Sequence, residues 1–223
     1  MLSIFQYIRT GDVLSVIVVI LSRTFVILCC TPVHECAHAY AAYKLGDDTA
    51  KQQGRMTVNP FAHLDPIGAV MILLFGIGYA KPVPVTSRRL KNPKRDMALI
   101  SLAGPLSNLL MGFVFNFIAT AIYSLAGTTS TPAVLIYYFF YLAAQINVIL
   151  AVFNLLPIPP LDGSKVLAAL LPTNVYYKYM QYERYVMIAL MILLFTGVLS
   201  TPISFLADLM MKYISIIPNL IFR

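Results

Sequence analysis

Apolar runs, each interrupted by a short polar or basic connection, set the layout of this chain. They lie near residues 12–43, 66–80, 97–126, 133–156, 185–200 and 202–217. A helix needs about 20 mostly apolar residues to cross a bilayer. The runs 97–126 and 133–156 reach that length, and 12–43 is long enough to cross and then continue. The two C-terminal runs are short, and Pro202 points to one kinked helical hairpin over about 185–217. The run 66–80, PIGAVMILLFGIGYA, is short and glycine-containing, and the KPVPV after it cannot continue a helix. The pattern predicts an all-α, polytopic membrane helix bundle forming a single domain over residues 1–223.

Composition agrees. Of the 223 residues, 59% are hydrophobic and 11% charged, whereas a soluble domain is about half apolar and a quarter charged. The net charge of +7 is unevenly spread. Lys81, Arg88, Arg89, Lys91, Lys94 and Arg95 crowd into the connection 81–96, while the connection 127–132, GTTSTP, has no charge. Basic runs also bind nucleic acid, but between apolar spans this one reads as a cytoplasmic loop, with 127–132 outside and no nucleic-acid partner. The connection 44–59 leans positive more weakly. If 66–80 crossed the bilayer, 44–59 and 81–96 would lie on opposite sides; if it dips in and returns, they share a face. Cys29, Cys30 and Cys36 are clustered and suggest small apolar packing, not a disulfide framework.

Against this background the stretch CTPVHECAHAYAAYKLG, residues 30–46, is unusual for its polar side chains. HECAH has the form His-Glu-x-x-His. On a helix, His34 and His38 lie one turn apart on one face, a spacing that lets two neutral imidazoles hold one zinc ion. Glu35, beside them, can act as general base toward a water activated by that ion. Three ionisable groups in or near lipid without partners would each cost several kcal/mol or be neutralised. The metal reading is therefore preferred over polar packing.

A catalytic zinc site needs a third protein ligand. The candidates are His63, Asp65, Asp96, Asp162, Glu183 and Asp208. Asp162 stands out in NLLPIPPLDG, residues 154–163, where Pro157, Pro159 and Pro160 end an apolar helix and stiffen the segment. Irregular backbone at membrane depth is tolerated where it lines a cavity. A loop aspartate after a terminated helix is an equally good reading of these residues alone.

HECAH, followed by AGPLSN (103–108) and NLLPIPPLDG, resembles the site-2 protease family of intramembrane zinc metalloproteases, here without a PDZ-like insertion. The resemblance covers a three-helix catalytic core at about 12–163. It implies one Zn2+ per chain, bound by His34, His38 and Asp162, with Glu35 catalytic and Asn154 contacting substrate or stabilising the oxyanion. It also requires the ends of helices 12–43 and 133–156 to meet at one metal. That makes 66–80 a re-entrant segment and turns the active site toward the cytoplasm. His63, in GRMTVNPFAHLDPIG, would then lie on the same face, as a candidate fourth ligand or gate. A loop histidine bonded to Asp65 or to backbone is the preferred alternative.

The implied activity is hydrolysis of peptide bonds within or next to a transmembrane helix of a membrane-protein substrate, in a prokaryotic cytoplasmic membrane. The competing class is a transporter or metal carrier using the same ligands, but the internal repeat of spans usual in transporters is missing.

Overall fold

A computed structural model describes residues 8, 12–75, 77–126, 130–172, 175 and 182–222. Among these residues it is all-helical. The principal elements are α1 (Val13–Lys44), α2 (Pro66–Phe75), α3 (Pro93–Ala126), α4 (Thr131–Asn154), α5 (Asp162–Leu170), α6 (Glu183–Phe195), α7 (Ser200–Ile214) and α8 (Ile216–Ile221). Among the described residues, four stretches are long and apolar enough to cross a membrane: α1, α3, α4 and Ser200–Ile221. The chain is an integral membrane protein.

The central element is α4. Ala143, Ala144 and every residue from Ile146 to Phe153 are buried, as expected of a helix apolar all round. One side of it packs on Val26 and Cys30 of α1. The other side packs on Leu190, Ile203, Ala207 and Met211 of α6 and α7. Outward-facing Leu106, Leu110 and Val114 form an exposed i, i+4, i+8 stripe on α3. Such a stripe is a liability in water but matches a lipid surround.

α1 is not uniform. Residues Val26–Cys30 form a π-helical turn, in which the Thr31 N–H reaches back to the Val26 carbonyl. By α-helical geometry, residues 23 and 34 would share a face. One wide turn rotates the second half of the helix by about 100° relative to the first half. His34 and His38 thus face α3 and the Asp162 segment, while Arg23 faces α2.

The run 66–80 does not cross. Ten residues of helix span about 15 Å, half the thickness of a hydrocarbon core. The chain then returns in extended form. The Lys81 N–H donates to the His63 carbonyl at 2.9 Å, and a Cβ on Gly68 would lie 1.8 Å from the Tyr79 carbonyl oxygen. The flanking connections are bonded to each other at one end of the bundle. Asp47 accepts from the Thr86 N–H at 2.6 Å, the Thr86 hydroxyl lies 3.0 Å from that of Thr49 and donates to it, and Arg89 pairs with Asp48. The expected re-entrant segment is therefore present. The C-terminal hairpin is also present, but Pro202 does not kink it. The turn falls at Gly197, and Pro202 sits in the first turn of α7, where its missing N–H removes no helical bond. The connection 127–129 lies outside the described residues.

Candidate metal centre

The site is assembled from three elements. The second half of α1 supplies His34, Glu35 and His38, all buried. α3 supplies the surface on which the imidazoles rest. The His38 Nδ1–H donates to the Ile100 carbonyl at 2.7 Å, which fixes the tautomer and leaves Nε2 as an acceptor. A Cβ on Gly104 would lie 2.3 Å from His38 Nε2 and 2.6 Å from His34 Cε1, so only glycine lets α3 approach the two rings this closely.

Asp162 comes from the far side of the irregular stretch 155–161, as the first residue of α5. A Cβ on the next residue, Gly163, would lie 2.2 Å from the Leu155 carbonyl oxygen. The glycine there serves close approach of α5 to the end of α4. α5 itself is not signalled by the hydrophobic pattern.

Three donor atoms converge. His34 Nε2 and His38 Nε2 are 3.1 Å apart. Asp162 Oδ2 is 3.5 Å from the first and 3.2 Å from the second. A tetrahedral ion with bonds of about 2.0–2.1 Å spaces its ligand atoms about 3.3–3.4 Å apart. The triangle therefore has the size such an ion requires. Two neutral imidazoles turning acceptor nitrogens toward each other also call for a cation or proton between them. The residues present fit a metal. Lys165 stands 3.8 Å from the other oxygen of Asp162. His34 Nδ1 is buried with no hydrogen-bond partner among the described residues.

The donors open on a cavity of about 550 Å3. Its walls include Glu35, Asn154, Asn108 and Lys165, with Met71, Ile72 and residues 77–83 of the re-entrant segment opposite. Asn154 lines the cavity while its amide donates to the Leu150 carbonyl at 3.0 Å.

Among the described residues, the other candidates are not among the converging donors, although Asp65 lines the same cavity. Asp65 caps α2, accepting from the Ile67 and Gly68 N–H groups. Asp96 accepts from the Asn92 N–H. Asp208 is exposed on α7, and the Glu183 side chain lies outside the described residues. His63 is buried but is not among the converging donors. Its Nε2–H donates to the Thr57 carbonyl at 2.8 Å, and its Nδ1 faces the Arg55 guanidinium at 3.5 Å. Both ring nitrogens are thus directed at the loop that anchors the re-entrant segment. In the sequence Gly104 reads only as part of a packing kink. Its contact with the histidines joins residues far apart in the chain and leaves no local signal.

Comparison with known proteins agrees with this geometry. Residues 120–197, which include Asn154 and Asp162, match the family model for peptidase family M50. "Putative zinc metalloprotease YwhC" of Bacillus subtilis is 44% identical over 167 residues, covering 73% of this chain and 75% of that protein. MJ0611 of Methanocaldococcus jannaschii, given the same description, is 38% identical over 101 residues, 45% of this chain and 49% of that one. Rip2 of Mycolicibacterium smegmatis, again so described, is 27% identical over 161 residues, 70% of this chain and 58% of that one. No solved structure matches. The chain belongs to peptidase family M50, in keeping with its resemblance to site-2 proteases.

Proposed function

We propose that this protein is a zinc-dependent intramembrane protease that cleaves membrane-protein substrates within or next to a transmembrane helix. The observation that carries the reading is the convergence of His34, His38 and Asp162 beside Glu35, in a cavity walled by membrane helices. In this reading the two Nε2 atoms and Asp162 Oδ2 hold one zinc ion per chain. Bound there, zinc would supply Lewis acidity toward the scissile carbonyl and lower the pKa of water.

The chain's own residues do the rest. Glu35 takes a proton from the attacking water as its oxygen bonds to the carbonyl carbon. It then delivers that proton to the leaving nitrogen as the C–N bond breaks. The Ile100 carbonyl holds the His38 imidazole in place, and Asn154 orients the substrate carbonyl. An intact helix hides its carbonyls in hydrogen bonds, so the substrate must unwind locally. Residues 77–83 and Val85, which are not helical, border the cavity, and the unwound segment would lie along them. Positive-inside logic puts the linked connections 44–59 and 81–96, and with them the site, on the cytoplasmic side of a prokaryotic membrane.

The test is reconstitution in vesicles with a single-span peptide substrate. Cleavage that stops on chelation, returns with zinc and maps by mass spectrometry to the span or its margin is expected. Cuts confined to distant soluble segments would contradict the intramembrane reading.

A further inference from the structure

The re-entrant segment forms the cavity wall opposite the histidines, and the structure shows what holds it. Its base is clamped by Asp65, which caps the first turn of α2, by the Lys81-to-His63 backbone bond, and by Arg55, which donates to the Lys81 and Pro82 carbonyls at 2.6 and 3.2 Å. The tip is held differently. Arg23, 4% exposed in the middle of the apolar α1, donates through Nη1 to the Leu73 and Leu74 carbonyls at 2.7 and 2.9 Å.

Those carbonyls belong to the last turn of α2, where the helix leaves its acceptors unsatisfied and its dipole is negative. At membrane depth no bulk water can satisfy them. A buried cation is expensive in the same place. Each feature offsets the other, with the two N–H groups of Nη1 shared between the two carbonyls.

We infer that Arg23 is a positioning residue. It latches the tip of the re-entrant segment and so sets the cavity wall, formed by Met71, Ile72 and Ile77, against which substrate docks. Among the described residues, the hydrogen bonds of Arg23 go to Leu73 and Leu74 and none joins it to the metal donors or Glu35. Its effect is exerted through α2. The functional half of the inference rests on the proposed proteolysis; the structural half does not.

The test compares the full-length, zinc-loaded protein with R23K and R23Q in nanodiscs by hydrogen exchange and metal analysis. In R23Q, amides of Val70–Phe75 should exchange at least about tenfold faster, since charge-assisted bonds at the tip are lost. R23K, which keeps the charge, should lie between. Exchange at His34–Lys44 and Asp162–Leu170, and zinc content, should not change. Unaltered exchange at 70–75 in R23Q, or acceleration of all these segments together, would overturn the latch. A quenched-fluorescent single-span peptide gives the second arm. R23Q should raise KM several-fold with kcat within about twofold of wild type; loss of kcat at constant KM would overturn the docking role. If wild type fails to cleave the peptide, the proteolytic reading is what suffers, and the exchange result still decides the latch.

Discussion

Gly104 and Asp162 both bear on the same two imidazoles. α3 comes against the rings because residue 104 has no Cβ, and Asp162 closes the donor triangle. Asp162→Ala should therefore lower zinc content well below one per chain, whereas the exposed Asp208→Ala should not. Equal content in wild type and Asp162→Ala would refute the ligand assignment. Gly104→Ala adds a methyl that must displace an imidazole or α3 itself. By analogy with changes to groups that orient metal ligands, zinc affinity should fall about 10–100-fold, read by chelator competition, while helical content is retained. HECAH is legible in the sequence because its chemistry is local, whereas Asp162 of the LDG segment is read as a ligand only through the resemblance to a family. Gly104 is not legible, because its reason is a ring brought from another helix.

Among the elements, the re-entrant segment governs how the chain is threaded. The run 66–80 is too short to cross, and its return is secured by bonds between Lys81 and His63 and between Asp47 and Thr86. Cysteines placed at Lys51 and Arg89 should be labelled from the same side of the membrane by an impermeant reagent; labelling from opposite sides would contradict the fold. Asp47, which carries no motif in the sequence, is buried and accepts from the Thr49 N–H and hydroxyl and the Thr86 N–H, fastening the two connections. Asp47→Asn should cost about 1–3 kcal/mol, seen as a lower melting temperature in detergent. Burial acts to raise the Asp47 pKa, but these donors prevail and lower it. A depressed folded-state value means its contribution is complete above the unfolded pKa of about 4 and is lost as pH falls through the folded value. Wild type should therefore lose more of its melting temperature than Asp47→Asn between pH 5 and pH 3. Parallel profiles would show that Asp47 does not fasten the loops electrostatically. α5 escapes prediction because nine residues after a proline cluster give too short a periodic signal.

At the scale of the molecule, the bundle places polar chemistry where lipid would forbid it unpaired. α1, α3 and α4 alternate in direction, so the histidine end of α1, the start of α3 and the end of α4 meet at one level. The spans within 12–43, 97–126 and 133–156 are readable from apolar run lengths, but the total number of full spans is not. The depth of the cavity and its wall are not readable either, since they depend on how α2 folds back. The central claim is that His34, His38 and Asp162 hold zinc while Glu35 moves the proton. The most direct test is Glu35→Gln, with zinc content and cleavage of a single-span substrate measured on the same preparation. About one zinc per chain should remain while cleavage falls about 10²–10⁴-fold, the usual worth of a general acid–base. Cleavage at the wild-type rate with zinc still bound would contradict the account.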